Sequence, residues 1–582
     1  MQLSTPFIPD DAPFTSEQRA WLNGLLSEMY ASAPQPAPVG VPVAVYFATQ
    51  SGVAERLSKK LVKALKAAGH EPKLISLETT TPAEIAAQTN AVFLASTYGE
   101  GDPPDTAKTF RDTLFSEAAP SMSSLRYTVF GLGDRTYEEF CKFGIDLDER
   151  LAALGGTRSL PRIECDVEVD EPFAAWQSDF LASLGATSST ATLSAAKSSA
   201  VADEKDAALY HRDNPFHAEI KEKIALTTDI SSKLTMHLSF GLDDARVHYE
   251  AGDACGVIAQ NNPALIFEIL SLLPFASDEI VDLPKVGRTS IESALLHHLQ
   301  PTRLTRKMVQ AFAEKAQCKT LLALLPPEQA SHLDAYTYDR GLIDLLHEYP
   351  GVITTANELV AILPKLSPRL YSISSSPAAH RREVHCTIAV VRYRSHNRER
   401  GGIASTMLAD RVPIGDRMPI YIQPNKRFRL PSDGNTPIVM IGPGTGIAPF
   451  RSFLYERQAL GNKGKNWLFF GERSAKTDFL YSHELETLRN QGHLTRLDTA
   501  FSRDQAHKIY VQDRMVEAGA ELWHWLQDGA QVYVCGDASR MAKDVDAALH
   551  SVVATHGAMS SDAAREYVSE LQEDHRYHRD VY

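Results

Sequence analysis

The chain has 582 residues, 43% of them apolar and 23% charged, with a net charge of −14. That length predicts roughly three or four domains, the composition confines disorder to local segments, and the acidic balance excludes a nucleic-acid binder or a protein held on an anionic membrane surface. Six scattered cysteines with no C-x-x-C pair offer no ligand set for zinc or an iron–sulfur cluster, so no metal site is expected, and they suit a reducing cytoplasm.

Met1 to Asp11 lacks the cationic start and long apolar core of a signal peptide, and no apolar run approaches about 18 residues, so neither export nor a membrane span is expected. Residues 15–30 read as one amphipathic helix capped by Thr15 or Ser16, and the proline-rich stretch from Ala31 to Gly40 ends it. From Val41 the apolar runs Val41–Thr49, Lys73–Leu77, Ala91–Thr97 and Tyr127–Gly133 alternate with helical stretches, which predicts a doubly wound parallel sheet. Around Leu184 the pattern gives way to a small, polar, low-complexity run that predicts a flexible linker over 187–205. Beyond His211 the alternation has period two, as in Lys233–Phe240 and Val384–Tyr393, and predicts an antiparallel barrel or sheet. A helical block from about Pro263 to Leu363 interrupts it, and βα alternation resumes after Pro437 through Trp467–Gly471, Leu494–Phe501 and Val532–Gly536. The expected boundaries are 1–40, 41–186, a linker at 187–210, 211–435 with its helical insertion at about 263–363, and 436–582.

Three constellations carry chemistry. After the first strand come Thr49, Gln50, Ser51, Gly52, Val53 and Ala54, where hydroxyls, an amide and helix N–H groups suit a phosphate held without a cationic side chain. The next strand ends supply Ser96, Thr97, Tyr98 and Gly99, then Leu132, Gly133, Asp134, Arg135, Thr136 and Tyr137; the carboxyl ends of a parallel sheet converge, so Tyr98 and Tyr137 can sandwich a flat ring. Polar βα loops of any such sheet are the bland alternative. Further on, Arg369, Leu370, Tyr371 and Ser372 offer a pyrophosphate partner, an aromatic face for an isoalloxazine and a hydroxyl for its edge, while Gly402, Ile403, Ala404 and Ser405 open a helix toward a phosphate. Taken singly, each also fits an ordinary strand with an exposed arginine.

The run Ile438-Val-Met-Ile-Gly-Pro-Gly-Thr-Gly-Ile-Ala-Pro-Phe-Arg451 is a buried strand, a glycine turn containing Thr445, and a helix start. It is a phosphate-loop candidate that departs from G-x-G-x-x-G, because Ile447 stands where the third glycine would fall, and a plain tight turn fits as well. Ser502, Arg503 and Lys508 then form a small cationic, hydroxyl-lined site in an acidic chain. A 2′-phosphate carrying roughly −1.5 to −2 charge fits there, which predicts NADPH over NADH; scattered surface cations are the alternative.

Together these residues resemble the diflavin reductases, and within them the flavoprotein branch that serves NADPH-dependent assimilatory sulfite reduction. The likeness is densest in Lys465-Asn-Trp-Leu-Phe-Phe-Gly471, Phe501-Ser-Arg-Asp-Gln505, Lys508-Ile-Tyr-Val-Gln-Asp513, Val534-Cys-Gly-Asp537, Met541-Ala-Lys-Asp-Val545 and the terminal Tyr577-His-Arg-Asp-Val-Tyr582. The resemblance implies a flavodoxin-like FMN domain, an FAD-binding antiparallel β-barrel with a helical connecting insertion, and a ferredoxin-reductase-like NADP-binding α/β domain. It extends the FMN contacts through Glu138, Glu139, Phe140 and Cys141. It adds Thr302, Thr387, Ile388, Ala389, Tyr393 and Tyr582 for FAD, and Ile509, Tyr510, Val511, Gln512 and Asp544 for NADPH. Ser372, Cys535 and Asp580 match the serine, cysteine and aspartate that flank the family's hydride-transfer locus. Departures from its pattern are Val53 for an asparagine, Arg135-Thr136 for paired serines, and Tyr98 for a glutamine; none removes a backbone donor.

The function so implied is electron transfer from NADPH through FAD and FMN to a separate haemoprotein (beta) subunit bearing sirohaem and an iron–sulfur cluster, which reduces sulfite to sulfide for cysteine biosynthesis. A cytoplasmic homo-oligomer is expected, with no nucleic-acid or membrane partner. Two readings remain open on sequence: a diflavin reductase for a cytochrome or monooxygenase, and a flavin-binding assembly subunit without turnover.

Overall fold

The computed structural model describes residues 40–49, 52–97, 101–133, 139–166, 169–184, 209–284, 286–538 and 540–582, with a few more between 8 and 23. Most of the predicted helix over 15–30 and the whole linker over 187–205 lie outside the described residues. The chain forms two compact units, Met1–Ser198 and Ser199–Tyr582.

In the first unit β1 (Pro42–Ala48), β2 (Glu71–Ser76), β3 (Asn90–Ser96), β4 (Arg126–Leu132), β5 (Thr157–Arg158) and β6 (Ile163–Cys165) form one parallel sheet. Its order is β2-β1-β3-β4-β5, with β6 also on β4. That order reverses between β1 and β3, so the loops after these strands open on one crevice. The central strands are buried on both faces, as expected of a parallel sheet covered by helices. One cover is the helix Val53–Ala67, which buries Ala54, Leu57, Leu61 and Leu65 at helical spacing.

The second unit contains β7 (Phe216–Ala225), β8 (Leu234–Gly241), β9 (Ala254–Val257), β10 (Ile280–Leu283), β11 (Gly287–Ser290), β12 (Arg369–Ser372), β13 (Glu383–Val390), β14 (Arg392–Ser395), β15 (Arg398–Gly401) and β16 (Arg417–Gln423). Six of these make an antiparallel sheet in the order β12-β9-β16-β7-β8-β13. The expected barrel is closed by no ladder: the ends of that path meet at one bridge, Ile373 with Cys386. The physical reason lies just beyond β12, where the carbonyls of Ser374 and Ser375 accept from Arg451 Nη1 (2.8 Å) and Ser452 Oγ (2.6 Å). Those carbonyls bond the neighbouring module, and the His385 N–H goes to Ser375 Oγ at 2.9 Å instead of to a carbonyl, so the bridge does not extend into a ladder.

Two local expectations are refined. The run Val384–Tyr393 is not one strand; it breaks at Val391, whose N–H donates to Ser405 Oγ (3.2 Å) before β14 turns to pair with β15. The helical insertion has its own apolar core around Ile291, Met308, Phe312 and Leu345, and also carries the β10–β11 hairpin.

The last module stacks β17 (Ile438–Ile441), β18 (Asn466–Glu472), β19 (Arg496–Phe501), β20 (Gln531–Gly536) and β21 (Tyr577–Val581) as a parallel sheet ordered β19-β18-β17-β20-β21. No described helix is long and apolar enough to cross a membrane.

Candidate functional site

In the first unit the loop after β1 turns through Gly52, whose φ of 84° suits glycine and caps the helix that starts at Val53. Thr49 is buried, and its Oγ1 accepts the Gly52 N–H at 2.8 Å. Thr97, after β3, accepts the Phe143 N–H at 3.2 Å, which ties that strand end to the helix Lys142–Ala153. Gly133 packs so closely that an added Cβ would meet Cys141 N at 2.8 Å and Phe140 Cδ2 at 3.0 Å. The described parts of the three predicted loops thus stand at the carboxyl ends of β1, β3 and β4, and a helix N-terminus faces the crevice they line, which fits a phosphorylated flat ring. Gln50, Ser51, Tyr98, Gly99, Asp134, Arg135, Thr136, Tyr137 and Glu138 lie outside the described residues.

In the second unit β12 presents Arg369 and Leu370 to solvent, with Leu370 53% exposed. Tyr371 is half-buried, and burial pushes its phenol up. Arg369 has no ion-pair partner among the described residues, and an exposed leucine and a half-buried tyrosine follow it on β12; a cation beside a partly open apolar face fits a pyrophosphate joined to a flat ring. Tyr393 is 39% exposed, and burial together with Asp339 raises its phenol. Other predicted residues are placed differently. Thr387 is buried and its Oγ1 meets Tyr481 OH at 2.7 Å, so its hydroxyl serves the seam between modules, while Ala389 faces solvent. Ser405 is buried as well, bonded to Val391 N–H, and the helix it opens runs only from Ile403 to Thr406 before a π turn. Thr302 stands in the helical insertion, beside Pro301, whose carbonyl takes the Leu342 N–H at 2.8 Å.

The glycine turn after β17 has a steric cause at each position. A Cβ on Gly442 would meet the Phe450 ring at 2.5 Å, and one on Gly446 would sit 2.1 Å from Cys535 O, while Gly444 has φ 60°. The turn therefore packs directly on β20. In the parallel register of β20 and β21, Cys535 pairs with Asp580, which brings both to the end of β12. Ser372 Oγ donates to Asp580 Oδ2 at 3.1 Å, and Cys535 S–H points to the same oxygen over 3.9 Å. Burial raises the Asp580 carboxyl against the opposing pull of these two bonds. Burial and Asp580 hold Cys535 well above the usual thiol range, so it stays a thiol. Asn425 Nδ2 donates to the other oxygen, Asp580 Oδ1, at 3.2 Å; nothing in its sequence setting, a Pro-Asn-Lys turn, marked it.

Tyr582 is clamped by its backbone: its N–H donates to Gly536 O at 3.0 Å and its carbonyl accepts Ala538 N–H at 3.1 Å. Its phenol meets Thr445 Oγ1 at 2.9 Å, and the residue, 51% exposed overall, stands beside the Ser372–Cys535–Asp580 group. After β19, Ser502 N–H donates to Glu472 O at 2.9 Å, and Gln505 pins the loop through Phe501 O at 2.6 Å and His507 O at 2.9 Å. Arg503 and Lys508 are exposed, and neither has a carboxylate partner among the described residues, which fits an anionic ligand. Gln512 Nε2 meets Asp544 Oδ2 at 3.2 Å, joining two more of the predicted positions; Tyr510 is exposed and Val511 buried.

The flavodoxin family model matches residues 45–176, the FAD binding domain model 209–407, and the oxidoreductase NAD-binding domain model 440–547. A sulfite reductase [NADPH] flavoprotein alpha-component of Bacillus subtilis (strain 168) is 41% identical, with 98% of this chain and 96% of that protein covered. A protein of the same description from Yersinia pestis is 42% identical over the same shares of each chain.

Proposed function

The chain belongs to the family of sulfite reductase [NADPH] flavoprotein alpha-components, and from that premise we propose that it passes electrons from NADPH, through FAD and FMN, to a sulfite-reducing haemoprotein subunit. The observation that carries the entry point is the meeting of Ser372, Cys535 and Asp580 beside the half-exposed Tyr582. When bound, NADPH supplies a hydride, FAD accepts two electrons and releases them singly, and FMN hands them on.

The protein's own residues position and select. Arg503 and Lys508, with Ser502, hold the 2′-phosphate, and the turn Gly442–Gly446 lets the pyrophosphate approach the backbone. Asp580, oriented by Ser372, supplies a carboxylate that would stabilise the positive charge of an oxidised nicotinamide. Arg369, Tyr371 and Tyr582 would hold FAD, and Thr49, Gly52 and Thr97 would belong to the FMN crevice. In this reading 41–186 is the FMN domain, 187–210 its linker, 211–435 the FAD domain and 436–582 the NADPH domain. The acceptor is a separate subunit with sirohaem and an iron–sulfur cluster, met in a cytoplasmic assembly that contains more than one copy of this chain.

The test is a visible spectrum of the purified protein, then anaerobic addition of NADPH. Both flavins are expected to bleach, and sulfite is expected to be consumed only when the haemoprotein is added. A protein whose flavin band survives NADPH would overturn the reading.

A further inference from the structure

Both oxygens of the Asp580 carboxylate are held, and from different parts of the fold. Ser372 on β12 and Cys535 on β20 address Oδ2, while Asn425, in the loop after β16, addresses Oδ1 at 3.2 Å. Asn425 is itself fixed: its backbone N–H donates to Asp253 Oδ1 at 2.9 Å. Asp253 is 3% exposed, receives the Glu250 N–H on Oδ2 at 2.8 Å, and is ion-paired with Arg429. Its carbonyl takes the N–H of Ile373, the residue after Ser372, at 3.0 Å. One buried aspartate therefore anchors the backbone beside two of the three donors to Asp580.

We propose that Asn425 is a positioning residue of the hydride-transfer site: its carboxamide fixes the carboxylate plane of Asp580 and supplies the donor that favours the ionised form. The inference deepens the reading above and rests on it. Its physical basis is that no cation among the described residues pairs with Asp580. The groups that face it are the Ser372 hydroxyl, the Cys535 thiol, the Asn425 amide and, at the chain end, the Tyr582 phenol. Its negative charge is thus held by neutral donors alone, in a site where burial opposes ionisation. Where no cation shares the load, each hydrogen bond to the charged form counts for more. The Asn425 bond also restrains rotation about the Asp580 side chain, which the Oδ2 contacts alone leave free to pivot.

The test is infrared titration of the oxidised holoprotein, with the Asp580 carboxylic-acid band identified as the one lost in Asp580→Asn. Removing a hydrogen bond to the ionised form raises a carboxyl midpoint, so Asn425→Ala is expected to move that band's midpoint upward by about one pH unit. Asn425→Asp keeps the size and replaces the donor with an acidic group, and is expected to raise it further. A parallel kinetic arm measures flavin reduction by NADPH, expected to slow about tenfold in Asn425→Ala, the equivalent of one charge-assisted hydrogen bond. In an Asp580→Asn background the same change is expected to add nothing, because Asn425 acts through Asp580. A midpoint that stays put, or no titrating band, overturns the inference, as does an additive loss in the double variant. The wild-type bleaching experiment is read separately, so a failed relay and a failed role for Asn425 give different results.

Discussion

Among single residues, the cations at the end of β19 carry the sharpest consequence. Arg503 and Lys508 are exposed and unpaired with any described carboxylate, in a chain of net charge −14. If they hold the 2′-phosphate, losing either removes one charge-assisted bond that NADPH makes and NADH does not. Exposure to solvent weakens such a bond, so the smaller end of its range applies. Arg503→Ala and Lys508→Ala are each expected to raise KM for NADPH about tenfold while kcat/KM for NADH stays within about twofold. Steady-state kinetics with both nucleotides check this, and an equal loss with NADH would remove the assignment. At this scale the sequence was legible where chemistry is local: Ser502 and Arg503 sit side by side, and so do Arg369 to Ser372. It was silent where a side chain acts across the fold. Asn425 reaches Asp580 over 155 positions, and no periodicity or motif encodes such a contact. Thr387 has a partner of the same hidden kind, since its Oγ1 meets Tyr481 OH across the fold, 94 positions away, and no motif encodes that contact either.

At the scale of elements, the glycine turn is the test of whether backbone approach or mere flexibility explains its composition. Gly446 sits where a Cβ would lie 2.1 Å from Cys535 O and 2.7 Å from Cys535 C, backbone atoms that no rotamer change can clear. Gly446→Ala must therefore part the turn from β20, displacing Cys535 from Asp580. It is expected to destabilise the second unit by about 1–3 kcal/mol or more and to abolish bleaching by NADPH. Gly444 offers an internal comparison: its Cβ would meet only Glu472 Oε1 at 3.6 Å, so Gly444→Ala costs the left-handed conformation alone, about 1–2 kcal/mol. Urea unfolding of both variants distinguishes the cases, and equal losses would show that space at Gly446 is not the cause. Strands were legible from their apolar runs to within a residue or two, as with β1 and β17, because parallel strands buried on both faces leave a continuous signal. The break at Val391 was not, since nothing in the run from Val384 to Tyr393 shows that the chain changes sheets there.

At the scale of the whole molecule, what the sequence could not display is the seam that joins the barrel-like sheet to the nucleotide module within the second unit. It is polar and buried. Arg451 donates to Ser374 O and to Glu484 (2.8 Å each), His237 Nδ1 meets Tyr481 OH at 3.0 Å, and His385 Nε2 meets Glu383 at 2.8 Å. The rings of His237, His385 and His380 stack edge to face with centroids 4.8 and 4.7 Å apart. Burial first, then the Arg451 charge, pushes His237 and His385 down to about 3, so both are neutral in the fold. In the unfolded chain a histidine titrates near 6.5. Between these values the unfolded state binds more protons, so stability is fully present above about pH 6.5 and falls as pH drops toward 3. Each such histidine contributes a slope of up to about 1.4 kcal/mol per pH unit in that window. The second unit's melting temperature is therefore expected to fall steeply from pH 7 to pH 5, and His385→Gln, which keeps a polar side chain without the titrating group, is expected to flatten the curve by close to one proton. Calorimetric melts of both proteins across that range provide the measurement. Parallel curves would mean that the acid sensitivity arises in carboxylates elsewhere, and that the three rings hold the two modules together without sensing pH.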